Sequence, residues 1–405
     1  MSRTILDVHI LQTVPPSNIN RDDTGAPKSA VYGGVRRSRV SSQAWKRATR
    51  KAFDGLLDPA ELGVRTKKVV DTLTARVIMR EASLTTEQVW PMAAEIIQAA
   101  TGAKIETPTR KAAAKGNKSG AEEEAAEPKA PQSSYLLFLS ARQLDALAEL
   151  AIEGIGKKAE PKVFVKEAEV KARAKKAAAT RHSVDIALFG RMVADTTDIN
   201  VDAAAQVAHA LSVHPVDLET DYFTAVDDQN SDAEAGAGMI GTVDFNSATL
   251  YRYAAVDIDL LATNLDAGLA DEERTGEPVR RAVEAFIEGF TLSMPTGKLN
   301  TFGNNTLPDA VIVKLRSARP VSFVGAFENP VAQGTAEGHV RAACKALADH
   351  IPAVEDAFGA PADQTWIVRV GSRTQDLAAL GEQVTLPELI TRAGQAVADR
   401  LGKRG

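Results

Sequence analysis

Residues 41–53, SSQAWKRATRKAF, constrain this chain more than any other stretch. At 100° per residue, Trp45, Ala48, Thr49, Ala52 and Phe53 share one side of a helix, and Gln43, Lys46, Arg47, Arg50 and Lys51 share the other. Ser41 and Ser42 are suitable N-caps that serve the first N–H groups or leave them free to meet an anion. A helix divided in this way packs its tryptophan face on a core and holds its basic face outward.

The preceding residues extend the basic run. Residues 4–13, with Ile5, Val8 and Ile10 alternating with polar neighbours, predict a strand; 15–28 are rich in Pro, Asn, Asp and Gly and predict a loop. Gly33 and Gly34 permit a sharp turn, and Arg37 and Arg39 alternate into the helix. From Lys28 to Lys51 there are eight basic residues and no acidic one, although the net charge of the whole chain is −5. Distant acids are screened over about 8–10 Å in physiological salt, so the local charge is the relevant quantity. Backbone N–H groups, hydroxyls and guanidinium groups converging here suit a phosphate path.

Length and composition bound the remainder. With 405 residues, 44% of them hydrophobic and 25% charged, the chain reads as two or three soluble globular domains. No apolar run approaches a membrane span, and the start, MSRTILDVHILQTVPP, lacks the pattern of a secretory signal, so a cytoplasmic location is expected. The one cysteine, Cys344, lies among alanines at helical spacing and reads as a core residue.

Helices are predicted near 67–81, 86–100 and 141–154, the last with a Ser140/Gln143 capping box. Residues 106–132 form a low-complexity insertion, and 166–181 form a solvated helix with a basic stripe. Further along, 183–192 read as a buried strand, 202–214 as a helix and 248–260 as a strand. The run from Pro278 to Met294 predicts a core helix with Val279, Val283, Phe286, Ile287 and Phe290 on one face. Strands at 310–317, 320–327 and 365–370 and helices near 336–350 and 386–401 complete an α+β pattern resembling a split ferredoxin-like fold. Residues 217–234 carry seven acids and no base, with Tyr222 and Phe223 among them, and predict a long protruding hairpin. Those two aromatics either cap the hairpin against its own core or insert beside bases, and Met192 has the same ambiguity between filling a gap and wedging a base.

Catalytic motifs are weak. The phosphate-loop, HExxH, EF-hand and dinucleotide fingerprints are absent. Each of the six histidines reads as structural, and the pairs Asp22-Asp23 and Asp227-Asp228, which in principle suit a divalent cation, lie in turn-like sequence where aspartate is expected for local reasons.

Five blocks in order, NRDD (20–23), GGVRRSRVSSQAWKRATRK (33–51), VDIALFGRM (184–192), DYFTAVDD (221–228) and SATLYRYA (247–254), resemble the CasC-type backbone subunit of the type I-E CRISPR Cascade surveillance complex. The resemblance implies an RRM-like (ferredoxin-like) palm from 1–58, 183–215 and 245–405, a helical fingers insertion at 59–182 and a β-hairpin thumb at 216–244. It implies a non-catalytic protein without cofactor or metal. Several copies would stack head to tail on one CRISPR RNA, beside a repeat-processing endonuclease and tail, small and large subunits, and present the spacer to target DNA. RNA-backbone contacts fall on Arg21, Lys28, Ser41, Gln43, Lys46, Arg47 and Arg50, and a base-displacing wedge on Met192, Tyr222, Phe223 and Thr224. Lys171, Arg173, Lys175 and Lys176 are candidates for target-DNA contact. Two other functions stay open on the residues alone: a metal-dependent RNA-processing nuclease using the Asp pairs, and a protein-only scaffold whose basic patch takes an acidic partner.

Overall fold

The computed structural model describes residues 3–108, 129–193, 197–225, 239–270, 274, 276–332 and 338–403. They form two compact units, one from Met1–Leu56, Ala204–Leu261 and Gly276–Gly405, the other from Leu57–Ala203 and Ala262–Thr275.

The first unit is built on a ten-stranded mixed sheet. At its centre Ile5–Ser17 pairs antiparallel with Met239–Asp257 on one side and Ala310–Arg316 on the other, with Val8 opposite both Ala254 and Val313. Gln364–Arg369 and Glu382–Gln383 extend one flank, the last pair being parallel. Ala210–Ser212, Val35–Val40 and Ser29–Tyr32 extend the other.

Side chains alternate across this sheet as the strand period requires. Leu11, Tyr251, Tyr253 and Ile312 pack with Phe323, Phe327 and the helix Gly338–Ala357. Arg252, between the two tyrosines, points the other way, toward Trp45 and Phe290 of the helices Ser42–Ala52 and Glu277–Leu292. The five core-face residues expected in the second helix are all buried. Cys344 is buried in the first layer, and burial pushes its thiol up to about 12.

One buried ion network ties the central strands together. Asp7 accepts from Arg316 Nε (2.6 Å), Tyr253 Oη (2.9 Å) and the Val321 N–H (3.2 Å), while Arg316 also reaches Glu355 at 2.7 Å.

The second unit is helical. Val69–Arg80, Thr86–Thr101, Ala141–Gly156 and Ala168–Ala179 enclose Val70, Leu73, Ile96, Leu147, Ala151 and Ala174. The capping box at Ser140 forms as expected, with Gln143 N–H donating to Ser140 Oγ and Ser140 N–H to Gln143 Oε1, both at 3.0 Å. Gly154 packs closely on its neighbours: a Cβ there would lie 2.7 Å from Met92 Cε and 2.9 Å from Phe164 Cδ1. The strand pair Ile105–Glu106 and Gln132–Ser133 flanks the low-complexity insertion, whose central residues 109–128 lie outside the described residues.

Three local expectations are corrected. Residues 183–192 are not a strand: Val184–Phe189 is a helix, closed by Gly190 at φ +77°. A short apolar run does not distinguish a buried helix from a buried strand by period alone. Residues 202–214 are not a helix. Ala205–Val207 and Ala210–Ser212 are strands paired with the long strand at Ala254–Val256 and Leu250–Tyr251, so sheet pairing overrides the alanine-rich helix propensity. Residues 320–327 contain no strand; a 3-10 turn, Val324–Phe327, follows Phe323, and the four-residue spacing puts both phenylalanines into the core.

Candidate nucleic-acid interface

The basic helix forms where expected. Ser41 is its N-cap, with Oγ accepting from the Ala44 N–H at 3.3 Å, and Trp45, Thr49 and Phe53 are buried. Thr49 and Phe53 lie against Gly289, where an added Cβ would meet each at 3.4 Å, and Trp45 meets Phe290 edge-on with ring centroids 6.4 Å apart. No acid occupies the first turn, and Arg50 and Lys51 occupy the last, where they oppose the negative end of the helix dipole.

On the outer face Gln43, Arg47 and Lys51 are exposed, and Lys46 and Arg50 are half-buried. Burial pulls the Lys46 ammonium below its usual value, and Lys46 has no hydrogen bond or ion pair among the described residues. A desolvated cation without a carboxylate is poised for an anion from outside.

Asn20 gathers the neighbouring candidates. Its Oδ1 accepts from the Ser41 N–H at 2.8 Å, and its carbonyl accepts from the Lys28 N–H at 2.9 Å, while the Lys28 carbonyl takes the Arg39 N–H at 2.9 Å. Arg21, which is exposed, follows Asn20 directly, so the structure brings Arg21, Lys28, Ser41 and the helix start together. Asn18 anchors the same loop to the hairpin root, with Nδ2 donating to the carbonyls of Gly25 and Asp244 at 2.9 and 2.8 Å. Sequence reasoning did not single out Asn20, although it stands at the head of the NRDD block.

Two of the features expected to converge on the phosphate path do other work. The guanidinium of Arg37 is fully buried and donates to the carbonyls of Tyr32 (3.1 Å), Ser212 (2.9 Å) and Phe327 (2.8 Å). Gly33 and Gly34 make the turn at φ +60° and +78°, but the turn seats on protein: a Cβ at Gly33 would lie 1.7 Å from the Glu328 carbonyl oxygen. Ser41 is 7% exposed and spends one hydroxyl lone pair on the cap, which leaves its O–H to offer an anion.

The hairpin pairs Glu219–Ala225 with Met239–Asp257, and Tyr222 stands opposite Thr242 and Phe223 opposite Gly241. Tyr222 is 60% exposed and Phe223 40% exposed. Successive strand residues face opposite sides, so Phe223 is on one face of the hairpin and Tyr222 and Thr224 on the other. Of the wedge expected from Met192, Tyr222, Phe223 and Thr224, the hairpin therefore places Phe223 on one face and Tyr222 and Thr224 on the other.

In the helical unit, Met192 is 88% exposed and follows Arg191, whose buried guanidinium donates to the carbonyls of Ile199 and Ala178, both at 2.7 Å. Arg173 pairs with Glu153 at 2.8 Å and Lys175 with Asp198 at 3.2 Å. Lys171, Lys175 and Lys176 line a cavity of about 590 Å³ with Lys166, Glu95 and Asp198.

Asp22 is committed to its own loop. Its Oδ1 accepts from Thr24 Oγ1, the Thr24 N–H and the Ala26 N–H, and the Thr24 hydroxyl foremost holds its carboxyl below the usual range. Asp227 and Asp228 lie outside the described residues. Among the described residues no group of three His, Cys, Asp or Glu side chains stands where it could hold a metal ion, and no helix is long and apolar enough to cross a membrane. His214 is satisfied as a neutral ring: Nδ1 meets the Pro215 carbonyl at 2.8 Å, Nε2 accepts from the Thr249 N–H at 3.1 Å, and His339 stacks on it at 3.8 Å.

Fold and site define a class: an α+β protein whose sheet unit carries an outward cationic helix, joined through the 18–28 loop to the root of an exposed hairpin. A model of the CT1975-like protein family matches residues 6–392, and the chain belongs to that family of Cas proteins. It is similar to a chain of a solved structure described as "CRISPR RNA-guided surveillance complex, pre-nicking", with 33% identity and a TM-score of 0.77 over 97% of this chain and 100% of that one. It is also similar to a chain of a "CRISPR RNA-guided surveillance complex", with 29% identity and a TM-score of 0.69 over 97% of this chain and 99% of the other. No curated protein matches the chain.

Proposed function

We propose that this protein is a non-catalytic, RNA-binding backbone subunit of a CRISPR RNA-guided surveillance complex of the Cascade type I-E kind. The sheet unit is an RRM-like palm, the helical unit its fingers and the exposed hairpin its thumb. Several copies stack head to tail along one CRISPR RNA and leave the spacer bases open to target DNA. Family membership and the two solved relatives, both chains of CRISPR RNA-guided surveillance complexes, support this reading. The observation that carries it to the residue level is the half-buried Lys46, without a hydrogen bond or ion pair among the described residues, on the outward face of the helix whose N-cap Ser41 joins the Asn20-centred cluster with Arg21 and Lys28.

Contacts of this type hold phosphates and read no bases. That suits a subunit that must accept any spacer, because Watson–Crick pairing then supplies the specificity. About four phosphates neutralised per copy give a salt slope near −3 on a single strand.

The test is the absorbance ratio at 260 and 280 nm of protein purified from cells that supply CRISPR RNA, compared with the double variant Lys46→Glu, Arg47→Glu. Co-purifying RNA of defined length, lost in a folded double variant, is the expected result. Protein that carries no RNA, or a folded double variant that retains it, refutes the reading.

A further inference from the structure

The sheet unit also buries a cation on the inner side of the basic helix. Arg252 is completely buried, and among the described residues no carboxylate lies within ion-pair distance of it. Its guanidinium carbon stands 3.7 Å from the centroid of the Trp45 ring and 4.7 Å from that of Phe290. Nη1 donates to Gln12 Oε1 at 2.6 Å, and Nη2 donates to the carbonyl of Phe290. Gln12 in turn donates through Nε2 to the carbonyl of Thr306 at 2.8 Å and to Met294 Sδ at 3.1 Å.

This arrangement is costly. A buried ion without a counter-charge carries a desolvation penalty, and an apolar side chain of similar shape often serves stability better. Arg316, two strands away across Ile5–Ser17, has Asp7 and Glu355 to offset its charge; among the described residues Arg252 meets neutral oxygens and two aromatic faces. The indole N–H of Trp45 has no acceptor among the described residues, so packing and the cation over its ring hold that side chain in place.

We propose that Arg252 is a positioning residue for polyanion binding: it fixes the inner face of the basic helix through Trp45 and, through Gln12, the backbone at Thr306. The inference rests on the RNA-binding reading above. Trp45 is the largest side chain on the inner face, and it sits one residue before Lys46. A change in its seating therefore turns Lys46 and Arg47 about the helix axis, while the fork of Arg252 also holds the last turn of Glu277–Leu292 at Phe290. A planar, two-pronged cation stacks on Trp45 and bonds both oxygens at once, whereas a lysine ammonium keeps the charge over the ring without the fork.

The test measures binding of a labelled single-stranded RNA by the full chain at two salt concentrations, together with melting temperature and the emission difference between each protein and its Trp45→Phe counterpart. For Arg252→Met, binding about tenfold weaker than wild type with a shallower salt dependence is expected from the loss of a buried cation–π contact, without a matching loss of melting temperature. Arg252→Lys, which keeps the charge over Trp45, is expected to recover part of both the affinity and the Trp45 emission. A folded Arg252→Met protein with wild-type affinity and salt slope overturns the inference, as does an Arg252→Lys protein no better than the methionine variant. If the methionine variant does not fold, Trp45→Phe decides: a folded protein about threefold weaker supports the proposal through its weaker cation–π contact, and undiminished binding overturns it. Wild-type protein that binds no RNA overturns the parent reading and the inference together, whereas RNA-binding wild type with an unaffected Arg252→Met overturns the inference alone.

Discussion

The ring of Phe223 lies across Gly241, its partner on the opposite strand: a Cβ added at Gly241 would come within 2.5 Å of Phe223 Cζ. The hairpin thus holds one aromatic over its own backbone and leaves Tyr222 on the other face, where Thr242 stands opposite. On the proposed function, a base displaced by the hairpin stacks against one of these faces. We therefore expect only one of Tyr222→Ala and Phe223→Ala to change the fluorescence of 2-aminopurine placed along the bound RNA. Equal changes from both would show that the hairpin does not act by a single face.

The Asp7–Arg316 pair supports the sheet rather than the interface. Both side chains are almost wholly buried, so Asp7→Ala leaves a charge partly uncompensated; Glu355 still reaches Arg316, which places the loss at about 3 kcal/mol, the low end for a broken buried pair. Urea unfolding is the measurement. A loss below about 1 kcal/mol would mean that water or Glu355 takes over the pairing fully.

Acidification should weaken the same unit through His214. Burial foremost, with His339 and Arg37 adding like charge, lowers its pKa from 6.5 to about 4, against a smaller opposing effect of the Pro215 carbonyl. The unfolded chain therefore takes up a proton between those values that the folded chain refuses. The contribution to stability is complete above about pH 6.5 and is lost as the pH falls toward 4, about 1–2 kcal/mol of it between pH 7 and 5. His214→Asn should flatten the slope of stability over that range, and an unchanged slope would remove His214 from the account.

Charge on the hairpin offers a test of assembly. Asp217, Glu219 and Asp221 are exposed, and the helix Ser42–Ala52 is basic, so a hairpin reaching a second copy gains guidance in one direction only. Replacing the three acids with lysine should reduce the size of the RNA-bound assembly in sedimentation at low salt. Assembly of the same size at low and high salt would rule this guidance out.

Sequence by itself determined the elements in which one local period holds from end to end. The helix Ser42–Ala52 has Trp45 within and Lys46 and Arg47 without because the 3.6-residue repeat separates apolar from charged positions, whatever the partner. The core helix Glu277–Leu292 and the capping box at Ser140 were legible for the same reason: their signals span only a few residues. Tertiary structure decided what depends on distant chain. Ala205–Val207 and Ala210–Ser212 are strands because the long central strand offers hydrogen bonds that local propensity does not register. Arg37 reads in sequence as part of an outward basic run and Arg252 as one residue of a strand, yet both are buried cations, since carbonyls, a glutamine and aromatic rings from far along the chain meet there to solvate them. A charge is placed by the free energy of its surroundings, and those surroundings exist only once the chain has folded.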